Sequence, residues 1–178
     1  MPAVRTMAVI CLWSLTGALF AAERPTGSAT PEGAACDAVL NYARSDADAW
    51  LATLIRPCYG RDGDGEYQKF KAEMRAKMER NKSDPAWVAP RLIRCFKARE
   101  LTKSGPASLG AALFDFTGNQ FVDLEVEVTP GQLQTLRYHV IRDKDEKWYF
   151  EPRPDLARLL ALGLNDEPDS VQVVFEAK

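Results

Sequence analysis

An α+β fold, with three N-terminal helices packed in a strongly curved antiparallel sheet of about four to five strands, is the architecture this 178-residue chain predicts. Two patterns carry that expectation. Up to the run Asn81-Lys82-Ser83-Asp84-Pro85 apolar residues recur at helical spacing, and beyond it they alternate with polar ones. Composition bounds it: 46% hydrophobic and 27% charged residues describe an ordinary globular chain, of a length that fits one domain.

The start of the chain reads as an address. Arg5 is the only charge before Glu23. An uncharged, mostly apolar stretch runs from Met7 to Phe20, followed by Ala21, Ala22 and the polar Glu23-Arg24-Pro25. This is the pattern of a secretory signal peptide over residues 1–22. Its apolar run of about 14 residues falls short of the ~20 that cross a bilayer core. Cys11, preceded by Ala8-Val9-Ile10, does not make a lipidation box. The mature chain is therefore expected to be exported, periplasmic or secreted, with no membrane span after cleavage. Residues 23–34 read as a flexible lead-in, 35–163 as the domain, and 164–178 as an extension with a possible edge strand.

The first helix is expected from Cys36, Val39, Leu40 and Ala43, which fall at i, i+3, i+4 and i+7. Ser45 and Asp48 have the spacing of a capping box for a second helix, whose stripe is Trp50, Leu51, Leu54 and Ile55 and which Pro57 ends. A third helix carries Tyr67, Phe70, Met74 and Met78 on one side. Its basic residues, Lys69, Lys71, Arg75, Lys77 and Arg80, interleave with Glu73 and Glu79 and read as a solvated face. Strands are expected over 92–101, 108–116, 121–128, 133–142 and 147–150, a short helix over 155–162, and a last strand over 171–175. Pairing position 129 with 133 keeps both apolar faces in step. It sets Asp123 against His139, Glu125 against Arg137, Val122 against Val140 and Leu124 against Tyr138, with the charged face wet.

Export implies an oxidising compartment. The mature chain keeps Cys36, Cys58 and Cys95. One bridge can form, and Cys58–Cys95 is the expected pair because both lie near ends of predicted elements. Cys36 reads as a small core residue, and another pair or no bridge stays open. Zinc is not expected without a close Cys-x-x-Cys spacing. Asp62, Asp64, Glu66 and Glu73 match calcium-loop offsets, but Tyr67 stands where the tight turn requires glycine. An acidic helix start is the preferred reading, so no metal and no cofactor are expected. With 23 basic and 25 acidic residues, the formal charge of −2 gives no electrostatic reason for a nucleic-acid partner.

Two carboxylates invite a catalytic reading. His139 beside Asp123 would be an acid–base pair, yet no nucleophile elbow accompanies it, and a cross-strand ion pair is preferred. Asp115 lies in the apolar run Leu113-Phe114-Asp115-Phe116. In a dry cavity its pKa would rise, and with Tyr138 it could act as a general base on a ketone. The alternative places Asp115 outward or at the Thr117-Gly118-Asn119 turn. The aromatics Trp50, Phe70, Phe114, Tyr138, Trp148 and Phe150 either line a ligand pocket or fill the core.

Val39-Leu40-Asn41-Tyr42-Ala43 with Asp46 to Leu54, then long hairpins ending in Lys147-Trp148-Tyr149-Phe150-Glu151-Pro152, resemble the nuclear transport factor 2-like (ketosteroid-isomerase-like) superfamily over roughly residues 35–155. The resemblance implies a cone whose sheet wraps a long helix around an apolar pocket. Such cones serve enzymes, binders, immunity proteins and scaffolds alike. Residues 165–178 extend past the usual last strand, and no tyrosine–aspartate pair matches an isomerase's catalytic positions. The expected function is an exported non-enzymatic binding or interaction module, monomer or homodimer, for a protein partner or a small apolar ligand, with an immunity-type protein as one version. The alternatives are a small cavity enzyme of isomerase or cyclase type and a structural envelope protein.

Overall fold

The computed structural model describes residues 23–55, 64–100, 117–151 and 172–177. Among them are three helices, α1 (Pro31–Ala43), α2 (Ala47–Ala52) and α3 (Asp64–Ser83). Six strands follow: β1 (Arg91–Phe96), β2 (Arg99–Glu100), β3 (Gly118–Thr129), β4 (Gln132–Arg142), β5 (Trp148–Phe150) and β6 (Val173–Glu176). The expected strand over 108–116, the short helix over 155–162, and Cys58, Asp62, Phe114 and Asp115 lie outside the described residues.

Helix α1 starts at Pro31, inside the stretch expected to lead in loosely. Thr30 is extended and its hydroxyl accepts the Gly33 amide at 3.0 Å, while Pro31 supplies a preset helical φ at the first turn. The residues before it fold back onto the helix: the Gly27 amide donates to Asp37 at 2.8 Å, and the Trp148 amide to the Ser28 carbonyl at 2.8 Å. A Cβ on Gly33 would come 2.3 Å from the Gly27 carbonyl oxygen, so this approach requires glycine.

Helix α2 is capped by Asp46, not by Ser45 as the capping-box spacing predicted. Asp46 accepts the Ala49 amide at 3.0 Å. Ser45 takes φ 53° in the tight connection from α1, a left-handed conformation that a cap does not use. The helix stops at Ala52, so Leu54 and Ile55 lie beyond it. Leu54 forms a parallel bridge with Phe150, reinforced by the Ile55 amide to the Phe150 carbonyl at 3.0 Å and the Phe150 amide to the Thr53 carbonyl at 2.7 Å. Helix α3 already includes Asp64, Glu66 and Glu73. Those positions of the calcium template therefore stand on one helix. No group of three or more His, Cys, Asp or Glu able to hold a metal occurs among the described residues.

The sheet runs β5-β4-β3-β1-β6, every strand pair antiparallel, with β2 continuing alongside β3. The count exceeds the expected four to five because the 92–101 stretch breaks into β1 and β2, and because the tail strand β6 pairs with β1 of its own sheet.

The central hairpin corrects the expected register by two positions. Thr129 pairs with Gln132 across Pro130-Gly131, where Gly131 has φ 81° and proline precedes it, the signature of a type II turn. That turn suits the twist of the strands poorly. A bulge between Glu127 and Thr129 absorbs the mismatch, and beyond it the pairs are Glu127–Leu133, Asp123–Arg137, Phe121–His139, Val122–Tyr138 and Leu124–Leu136. Because the shift is even, each side chain stays on its expected face.

One face carries Leu92, Val122, Leu124, Val126, Val140 and Trp148 in a cluster with Ala34, Ala35, Cys36 and Val39 of α1 and with Cys95. A second cluster gathers Trp50, Leu51 and Leu54 with Met78, Phe70 and Phe150. The opposite face was expected to be wet, and it is only partly so. Phe121 is 0% exposed, His139 1% and Asp123 6%. Arginines cross this face onto acidic neighbours: Arg91 to Glu127 at 2.9 Å, Arg94 to Glu125 at 3.4 Å and to Glu176 at 2.7 Å, and Arg137 to Asp123 at 2.8 Å, with Arg99 also on Asp123.

Glu32 ties α1 to the sheet. It is buried, and its Oε1 accepts from the Ala98 amide at 2.9 Å and from Lys97 Nζ at 2.9 Å. Burial alone would raise this carboxyl, but the Ala98 and Lys97 donors outweigh it and hold the pKa below the ordinary 4.5. The folded pKa is depressed, so the stabilisation is present above 4.5 and is lost as pH falls through the folded value. Urea midpoints at neutral pH and below that window are expected to differ more in the wild type than in Glu32→Gln. Equal losses on acidification in both proteins would remove this account.

Candidate functional site

The aromatic set singled out for a pocket is gathered only in part. Trp50 stands 6.3 Å from Phe70 and 6.3 Å from Phe150, ring centroid to ring centroid, and Phe150 stands 4.9 Å from Tyr138. Tyr42, which the sequence did not single out, joins Trp50 at 6.4 Å and Trp87 at 5.8 Å. At these separations the rings pack on each other. Trp148 belongs to the α1 cluster instead, its Cη2 lying 3.0 Å from where a Cβ on Gly118 would be. Burial pushes the Tyr138 hydroxyl well above the usual tyrosine range, with Tyr42 and Cys36 as its next neighbours. It stays protonated and can act only as a neutral hydrogen-bonding group.

The corrected register overturns the expected cross-strand pairing of Asp123 with His139, on which both the preferred ion pair and the alternative acid–base pair rested. His139 lies across from Phe121, stacked on its ring at 5.1 Å, and its Nε2 meets Asn119 Oδ1. Asp123 instead accepts from Arg137 Nε at 2.8 Å and from Arg99. The two guanidiniums engage this carboxylate in charge-assisted hydrogen bonds.

A concave surface with a mixed lining lies elsewhere. It is a half-open cleft of about 760 Å³ between α2, α3 and the turn from β4 to β5. Leu51, Leu54 and Ile55 form its apolar floor. Tyr67, Lys71 and Arg75 edge it from α3, where their i, i+4, i+8 spacing puts all three on one stripe. Arg75 donates to Asp48 Oδ1 through Nε at 2.9 Å and through its terminal nitrogen at 2.7 Å, and Lys71 Nζ lies 5.1 Å from the Tyr67 ring centre.

The opposite wall is the turn Asp143-Lys144-Asp145-Glu146. The Asp143 amide bonds the Lys147 carbonyl at 2.9 Å, the Glu146 amide bonds the Asp143 carbonyl at 3.0 Å, and Glu146 takes φ 65°. Tyr149 donates its hydroxyl to Asp145 at 2.6 Å. That bond, followed by one from the Lys147 amide, holds the Asp145 carboxyl below its usual range. The cleft thus combines an apolar floor with paired charges and two tyrosines.

Sequence reasoning missed this site because each part had a plainer reading. Lys71 and Arg75 looked like a solvated helix face, and 143–146 like a turn. The one available signal was the spacing of Tyr67, Lys71 and Arg75, an aromatic followed by two cations at successive turns. Among the described residues no helix is long and apolar enough to cross a membrane. Compared with family models, curated proteins and solved structures, the chain matches none.

Proposed function

We propose that this chain is an exported, periplasmic or secreted, non-enzymatic binding module that holds a protein partner in the cleft between α2, α3 and the β4–β5 turn. In this reading the fold is of the nuclear transport factor 2-like type, its helices packed in a curved sheet. The single observation that carries the choice of site is the division of labour among the aromatics. Trp50, Phe70, Tyr138 and Phe150 occupy one another, so an interior apolar ligand has to compete with the rings. The cleft instead offers Tyr67, Tyr149, Lys71 and Arg75 at an open surface. Tyrosine and arginine give large contact area and directional hydrogen bonds, which favours a protein over a small apolar molecule. An immunity-type role is one form this binding takes. The signal-peptide pattern of residues 1–22 is the ground for export.

The test is site-specific photocrosslinking in the protein's own cell envelope. A benzoylphenylalanine probe replaces Lys71 in the cleft in one variant and Leu133, 53% exposed and outside the cleft lining, in another. A discrete protein adduct is expected from position 71 and none from position 133. Arg75→Glu, which sets a second carboxylate beside Asp48, is expected to weaken that adduct at least about tenfold with little change in Tm, because Arg75 is half exposed. Equal adducts at both positions, no protein adduct at position 71, or a chain retained in the cytoplasm would each overturn the proposal.

A further inference from the structure

The two described cysteines meet. Cys36 on α1 and Cys95 on β1 are both 0% exposed, belong to the same cluster, and carry unlinked thiols in this structure. The Cys95 thiol interacts electrostatically with that of Cys36 where α1 packs on β1, and it reaches the Phe96 carbonyl at 3.7 Å. These side chains come from elements far apart in sequence, and on β1 Cys95 pairs with Leu124, the middle of the core face.

We infer that Cys36 and Cys95 form a disulfide that fastens α1 to the central sheet. The bond forms by thiol–disulfide exchange with a small disulfide such as oxidised glutathione, or with a dithiol–disulfide oxidoreductase. One protein thiolate displaces one sulfur of the oxidant to give a mixed disulfide. The second protein thiolate then attacks the protein sulfur and releases the other half. The protein thiols lose two electrons and two protons, and the oxidant leaves as two thiols.

The timing follows from the burial. The interaction with Cys36, and then burial, hold the Cys95 thiol far above its ordinary range. Both side chains are 0% exposed, so the closed core admits no oxidant. Exchange runs while α1 is undocked, and docking then seals the product. The sequence had placed Cys95 with Cys58. Contact across the core favours Cys36, whose position on the inward face of α1 fits a bridge as well as it fits a small apolar residue.

The experiment refolds the reduced mature chain, residues 23–178, in a mixture of reduced and oxidised glutathione, blocks remaining thiols with iodoacetamide, and maps peptides without reduction. The expected product joins the Cys36 peptide to the Cys95 peptide and leaves Cys58 alkylated. A reductant is then expected to lower the Tm of wild type and of Cys58→Ala by roughly 10 °C, and to leave that of Cys36→Ala unchanged. If Cys36→Ala does not fold, the peptide map of the wild type decides alone. A Cys58–Cys95 peptide, a Cys36–Cys58 peptide, or alkylation of Cys36 and Cys95 would overturn the inference.

Discussion

Trp50→Ala is expected to destabilise the fold by roughly 3–5 kcal/mol, the range for removing a buried large aromatic and leaving a cavity. The side chain is 8% exposed and touches three other rings, Tyr42, Phe70 and Phe150. Each such ring pair adds about 0.5–1.5 kcal/mol beyond the area it buries. Phe70 comes from α3 and Phe150 from β5, so the loss falls on the contact between helices and sheet. Urea unfolding followed by circular dichroism measures it. Trp50→Phe, which keeps much of the volume, is expected to cost distinctly less. A loss under about 1 kcal/mol for the alanine variant would mean that the ring faces a void, and the interior would again be a candidate ligand cavity.

The second large effect is expected at Asp123. Its side chain is 8% exposed, and the arginines it receives, Arg99 and Arg137, are 18% and 28% exposed. Removing the carboxylate takes away the anion that both guanidiniums share in a partly dry site. A cost of roughly 3–5 kcal/mol follows from breaking a buried ion pair by deleting one member. Glu127→Ala is the contrasting variant. Its partner Arg91 is 64% exposed, so solvent screens the pair and a much smaller loss is expected. Equal losses at the two sites would show that Asp123 is solvated like Glu127 and would undo the structural role given to it.

The same residues show how far the sequence could be read. The alternation Val122, Leu124, Val126 against Asp123, Glu125, Glu127 specified a strand and its two faces, because side chains in an extended chain point to opposite sides with period 2. The helical spacing after Cys36 and after Tyr67 specified helices in the same way. The pairing partner across the hairpin did not follow, since several even registers satisfy the faces equally and the choice lay in how Pro130-Gly131 turns and where the bulge absorbs it. His139 is the cost of that ambiguity: two positions of shift moved it from Asp123 to Phe121.

The cleft and the thiol pair belong to a different category. Tyr67, Lys71 and Arg75 were visible as a stripe on α3, but the wall they face is the turn at 143–146, about seventy residues away in the chain. No local pattern encodes that proximity. Cys36 likewise carried only the mark of an inward helix position, and Cys95 only that of a strand.

By itself, the order of residues determined element type, the inward face of each element and the α+β class, because backbone geometry and apolar periodicity act over a few neighbours. Which faces touch was decided by the tertiary structure alone. Long-range pairing is chosen by the packing of all elements at once, where turn twist, ring volume and the need to pair buried charge are settled together.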